Sequence, residues 1–314
     1  MTNQDIPTKN DVPAAGTLAQ TGSTAPSAKG DPVTIGLTVS PQHGEMRDMR
    51  NCWTTAEELG VDALYTADHF VAMIVDEDHA TRTAIGEAYG KTKSEGMSFE
   101  ATAIEAAMAA TTSRARIGCI CHPIGFRNAN LLADVARTID HISGGRFILG
   151  LGTGFLRADF EEYGYQYGTQ TSRALDLARG VPIIKERLKK LHPAPMGPMP
   201  LLIASMGEKI GMRIVAEHAD MWHVFGPIEK IRAKIEVLRG FCDEVGRDFN
   251  EIELTANYFP QILGRDDDPN IYLAEGIRHL VLVAEGPNWD LGQVREILAW
   301  RDSLTGASVA SATG

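Results

Sequence analysis

The chain has 314 residues, and its 30 Lys and Arg against 41 Asp and Glu give a formal net charge of −11. That balance argues against a nucleic-acid binder working by bulk attraction to phosphate, which needs a basic face, while leaving room for a local basic pocket that takes an anionic cofactor. There is no run of about 18 apolar residues to cross a membrane, and four cysteines (Cys52, Cys119, Cys121, Cys242) are too few for a disulfide framework, which points to a reducing cytoplasm.

Residues 1–31 are rich in Ala, Thr, Ser, Pro and Gly and contain no aromatic side chain. Such a segment buries too little apolar surface to offset its ordering entropy, so it reads as a disordered extension. It has neither the basic start nor the apolar run of a signal peptide. The charges of its first 30 residues, Asp5, Lys9, Asp11 and Lys29, cancel, so the whole −11 belongs to the remainder.

The β-branched run Val33 to Val39 predicts a strand. A helix follows through Cys52 to Leu59 and stops at Gly60, and a second strand, Ala63 to Ala67, ends in Asp68-His69. The polar stretch from Val71 to Met97 shows no period. A helix from Phe99 to Thr111 leads to a third strand, Ala115 to Cys121. Asn130 to His141 is a helix with Leu131, Leu132, Val135 and Ile139 on one face, and Ser143-Gly-Gly145 turns it into a fourth strand, Arg146 to Leu151. Thr171 to Leu191 is a helix that Pro182 is expected to kink, followed by a connector, His192 to Pro200.

Leu201 to Ala204 is the fifth strand, Glu208 to Ala219 a helix and Asp220 to Phe225 the sixth strand. Pro227 opens an amphipathic helix with the stripe Ile228, Ile231, Ile235, Leu238, Phe241, Cys242 and Val245. Ile252 to Ala256 is the seventh strand, Ile271 to Glu275 a short helix, His279 to Val283 the eighth strand and Leu291 to Trp300 the last helix. Eight short apolar strands separated by helices predict an α/β chain, a (β/α)8 TIM barrel over residues 32–303, with 304–314 a loose tail. An open doubly wound sheet is the alternative.

In such a barrel, chemistry belongs at the C-terminal ends of the strands. Those ends carry His43, Asp68-His69, Cys119-Ile120-Cys121-His122, Gly152-Thr153-Gly154-Phe155, Ser205-Met206-Gly207 and Trp222-His223. Cys119 and Cys121 share a strand face, and with His122 and His43 they raise zinc as an option. A strand would point His122 away from both cysteines, however, and no CxxC pair exists, so no metal is expected. His69 is either a hydrogen-bonded structural histidine or a functional one. Gly152-Thr153-Gly154 is half of a dinucleotide fingerprint and weak alone. Gly207 before a helix either leaves N–H groups for an anion or simply makes a turn.

Several stretches carry a resemblance. They are Phe99-Glu-Ala-Thr-Ala103 with Thr112 to Gly118, Phe126 to Ala133, Thr138-Ile-Asp-His-Ile-Ser-Gly-Gly-Arg-Phe-Ile-Leu-Gly-Leu-Gly-Thr-Gly154, Ala219 to Pro227 and Cys242 to Asp248. Over about Val33 to Leu298 the chain resembles the luciferase-like monooxygenase superfamily. Thr38 to Gly44 and Thr66-Ala-Asp-His69 are similar to the branch that uses the deazaflavin coenzyme F420 rather than FMN.

The resemblance implies a homodimer whose barrel mouth holds the flavin-like ring. It implies a non-proline cis peptide at Cys119 and Ile120 behind the ring, with His43, Cys121 and His122 nearby. His69 would lie by the reacting carbon and donate or accept a proton, with His43 and His122 as weaker candidates. Backbone contacts would come from Gly152, Thr153 and Gly154, and a phosphate site from Ser205, Met206 and Gly207 with Lys209 and Arg213 near. Met206 stands where the family has a glycine and narrows that approach. Phe155 stands where some F420 enzymes carry an acid, so no carboxylate proton donor carries over.

The implied function is hydride transfer between F420 and a small organic substrate, with no nucleic-acid or membrane partner. The alternatives are a monooxygenase using reduced FMN and oxygen, and a non-catalytic flavin- or deazaflavin-binding barrel.

Overall fold

A computed structural model of the protein describes residues 32–73, 94–259 and 268–311. The extension 1–31, the centre of the 71–97 stretch and the last three residues lie outside the described residues.

Short strands alternate with helices in the predicted order. The strands are β1 (Thr34–Val39), β2 (Ala63–Thr66), β3 (Val71–Met73), β4 (Ser94–Met97), β5 (Arg116–Cys119), β6 (His122–Pro123), β7 (Phe147–Gly152), β8 (Leu201–Ala204), β9 (Met221–Val224), β10 (Glu253–Asn257) and β11 (His279–Ala284). All pairings are parallel except the β3–β4 ladder. β5 pairs with β2 on one side and β7 on the other, and β1 pairs with β11, so the sheet closes on itself. With β5 and β6 sharing the third place, this is an eight-stranded (β/α)8 barrel rather than an open sheet.

The helices are α1 (Met46–Leu59), α2 (Ala101–Thr111), α3 (Ala129–Ser143), α4 (Arg157–Glu162), α5 (Gln170–Lys190), α6 (Gly211–His218), α7 (Ile228–Val245), α8 (Asn270–Ala274) and α9 (Gly292–Ser311). Their ends follow local chemistry. Asn128 caps α3 by accepting from Asn130 and Leu131 N–H, and Thr169 and Ser172 form a reciprocal capping box on α5. Gly60, Gly144 and Gly246 close α1, α3 and α7 at positive φ, where a side chain would be strained.

The structure departs from the sequence reading in four places. The stretch read as aperiodic carries the β3–β4 ladder at its two ends. α4, too short to show a period, was not predicted. The expected helix from Glu208 begins only at Gly211. α9 continues to Ser311 and so takes in most of the expected loose tail.

The period-2 alternation of the strands divides the core in two. Ile35, Leu37, Leu149, Leu151, Ile203 and Trp222 pack outward under the helices. Ala63, Tyr65, Ile148, Leu202, Met221 and Val281 fill the barrel interior. The Tyr65 ring explains its glycine neighbours. A Cβ on Gly36 or Gly118 would come within 3.0 and 3.3 Å of it, and a Cβ on Gly150 would lie 1.9 Å from the Cys119 carbonyl oxygen. Among the described residues the interior is therefore a packed plug, which puts the candidate site above it, at the C-terminal strand ends.

Candidate functional site at the barrel mouth

His69 follows the end of β2 and keeps 12% of its side-chain surface exposed. Its Nδ1 lies 2.7 Å from Oδ2 of Asp159, which is 1% exposed. Oδ1 of the same carboxylate accepts the backbone N–H groups of Phe70 at 2.8 Å and Val71 at 2.9 Å. Asp159 sits in the first turn of α4, so that unpredicted helix supplies the carboxylate which Phe155 does not. The Phe155 ring meets His69 edge-on, with centroids 5.4 Å apart. The distance in sequence hid this pair, and nothing local to either residue announces it.

Asp68, one residue back, turns inward. It is held by His122 Nδ1 at 2.8 Å and by Arg127, which also reaches Glu100. His122 Nε2 lies 3.1 Å from Glu105. Burial pushes the Asp68 carboxyl up, but the bonds and charges of His122 and Arg127 outweigh it and hold it at about 2. Burial likewise pulls His122 down, and Glu105 and Asp68 overcome this to raise it to about 10. Burial keeps Glu105 above the usual carboxylate range despite His122. Glu105 and Arg127, and the partners of Asp68, escaped the sequence reading because the pairings are long-range.

His122 and Cys119 are thus placed beneath the mouth, fully buried, rather than in it. The expectation that His122 points away from Cys119 is corrected. The strand ends at Cys119 and resumes at His122, so alternation does not run through, and ligand atoms of Glu105, Cys119 and His122 lie within 4.8 Å of one another. Both nitrogens of His122 are already bonded to carboxylates and burial keeps the Cys119 thiol protonated. The cluster is an ionic network, which accounts for these side chains without a metal.

The non-proline cis bond joins Ile120 to Cys121, one residue later than expected. Ile120 and Cys121 are half-buried at the rim, and burial raises the Cys121 thiol to about 12. Gly152 is required there, because a Cβ would lie 2.1 Å from Cys121 Sγ. Thr153 and Gly154 continue the rim, half-buried, with Gly154 at φ +69°. His43 is exposed on the loop after β1 at φ 64°.

Ser205 and Met206 are half-buried and Gly207 exposed. Beyond its chain neighbours, the nearest atom to a Cβ built on Gly207 is Gly211 N at 3.9 Å, so open space adjoins the backbone that leads into α6. Of the two cations expected there, Arg213 is bonded to Glu217 at 2.8 Å and lies 3.8 Å from Glu244, and Lys209 is exposed. A further cation, Arg173, stands beside Gly154. Arg173 donates to the Gly154 carbonyl at 3.1 Å, and Arg173 and Arg157 lie 4.0 and 4.5 Å from the Tyr167 ring centroid.

The profile of the luciferase-like monooxygenase family matches residues 31–281. The chain belongs to the luciferase-like monooxygenase family. A curated relative, pyrimidine monooxygenase RutA of Cronobacter turicensis, is 30% identical over 155 residues, which span 44% of this chain and 40% of that protein. The match therefore covers less than half the length of that relative. Among solved structures, an F420-dependent secondary alcohol dehydrogenase bound to an F420–acetone adduct superposes with TM-score 0.66 at 15% identity, covering 83% of this chain and 96% of that one. Coenzyme F420-dependent tetrahydromethanopterin reductase from Methanopyrus kandleri gives 0.60 at 14% identity, over 82% and 95%. At such identities the likeness is one of fold.

At the mouth of this luciferase-like barrel, half-buried Ile120 and Ala204 pack against the interior plug, His69 and Phe155 meet edge-on, and open space adjoins the backbone before α6. Apolar walls with a few placed polar groups are typical of small-molecule sites.

Proposed function

We propose that this luciferase-like protein transfers a hydride between coenzyme F420 and a small organic substrate. The observation that carries the reading is the His69–Asp159 pair: a half-buried imidazole at the end of β2, backed by a buried carboxylate, where the family resemblance puts the proton-transferring histidine. A deazaflavin, when bound, supplies hydride transfer at its ring carbon; orientation and proton handling fall to the protein. Ile120, Cys121, Thr153 and Gly154 would hold the ring, and Ser205 to Gly207 with the start of α6 would receive an anionic group. His69 Nε2 would take or give the proton that accompanies hydride transfer. As part of the same reading the protein works as a homodimer, for which light scattering is the test.

A second reading, a monooxygenase using reduced FMN and oxygen, is favoured by the match to a pyrimidine monooxygenase over 155 residues. Titration of the purified protein with F420 and with FMN, read by fluorescence, separates the two: the proposal expects tight binding of F420 and weak binding of FMN, and the reverse order overturns it. His69→Ala is expected to bind F420 normally and to lower turnover about 100-fold or more. Unchanged turnover removes His69 from the chemistry, and turnover of no substrate by the wild-type protein would leave a binding barrel without catalysis.

A further inference from the structure

The contacts of Asp159 say more about His69 than that the two meet. We propose that Asp159 is a positioning residue that fixes His69 as the Nδ1–H tautomer, leaving the Nε2 lone pair as the group offered to the mouth. The argument starts from the carboxylate. Its Oδ1 already accepts two backbone N–H groups, from Phe70 and Val71, and Oδ2 is 2.7 Å from His69 Nδ1. An ionised carboxylate accepts and does not donate, so the proton in the third bond is the imidazole's. A neutral imidazole carries one N–H, and once that proton is on Nδ1, Nε2 is an acceptor. Among the described residues nothing else bonds the ring, and Phe155 confines it edge-on.

The same three bonds tie the segment after β2 to α4, so one residue sets both the tautomer and the position of the ring. With its side chain 1% exposed, Asp159 acts through His69, as a carboxylate behind a catalytic or metal-binding histidine does. Asp68, the nearer acid in sequence, is occupied with His122 and Arg127 and is not available for this. The catalytic consequence rests on the functional reading above: His69 meets its ligand as a proton acceptor, and the imidazolium formed on uptake remains paired with Asp159.

The test is the tautomer itself, read by 15N NMR on protein labelled at histidine, with His69→Gln to assign the signal. Wild type is expected to show Nδ1–H. In Asp159→Asn the amide oxygen still accepts from Phe70 and Val71, but the amide N–H₂ donates to Nδ1 and drives the ring proton to Nε2. The expected spectrum is therefore Nε2–H, with F420 affinity within about twofold of wild type and kcat lower by about 100-fold or more, since a wrong tautomer alone is that costly in a catalytic triad.

An Nε2–H tautomer in wild type, an unchanged tautomer in Asp159→Asn, or a switched tautomer with unaltered kcat each overturns the proposal. Should Asp159→Asn fail to fold, the wild-type spectrum still decides the tautomer. The spectrum needs neither cofactor nor substrate, so failure to bind F420 sinks the functional reading separately.

Discussion

Asp68, His122 and Glu105 form one ionic cluster beneath the mouth. Because His122 keeps its proton to about pH 10 in the folded protein and only to about pH 6.5 in an unfolded chain, its contribution is whole below about 6.5 and is lost as the pH rises through 10. Asp68 runs the other way: held at about 2 when folded against about 3.9 unfolded, it stabilises fully above that value, and the contribution goes as the pH falls through 2. His122→Leu leaves two buried carboxylates without their shared cation and is expected to cost about 3–5 kcal/mol at pH 6. Urea denaturation of wild type and variant should show that gap narrowing by pH 10; a gap that stays constant would show that His122 is neutral. His69 was legible in the sequence because strand ends of a barrel are where chemistry lies. The roles of Asp68, His122 and Asp159 were not, because each depends on which distant side chain the closed sheet brings opposite it.

Elements were easier to read than pairings, since hydrophobic period and turn glycines are local. Every barrel strand was found within a few residues, and the errors fall where tertiary contact overrides local preference. α4 is six residues long and earns its place through Asp159 and Phe160, neither of which shows as a pattern. Pro182, expected to kink α5, lies within the helix, which continues past it. A proline inside a helix removes one backbone bond, so Pro182→Ala is expected to stabilise by about 1–3 kcal/mol; a lower melting temperature would mean that the ring itself packs usefully.

The segment Ser143 to Phe147 shows the opposite case, a motif with a mechanical reason. Arg146 donates to the carbonyls of Ala109, Thr112, Ala115 and Ser143, tying the end of α2 and the start of β5 to the turn before β7. Arg146→Met keeps the stem but not the donors, and is expected to lower stability by about 2–4 kcal/mol through unsatisfied carbonyls. F420 affinity in the surviving folded fraction should be unaffected, which a titration below the melting temperature checks.

Across the whole molecule, a formal charge of −11 surrounds a mouth proposed to take an anionic cofactor. Arg213, expected to serve the phosphate, is paired with Glu217 and Glu244, and Arg157 with Glu161. In the proposed reading attraction is confined to short range, by Arg173 beside Gly154 and by the start of α6, while at longer range the ligand meets an acidic body. Salt acts differently on the two. The Debye length is about 10 Å at 0.1 M, so distant like charges are screened and contacts at the site much less. Stopped-flow association of F420 is thus expected to quicken a few-fold between about 0.01 and 0.15 M salt, with dissociation little changed. FMN, with fewer charges, should respond less. Association that slows with salt would mean that a positive field extends well beyond the rim, and the acidic surface would then have no part in how the ligand arrives.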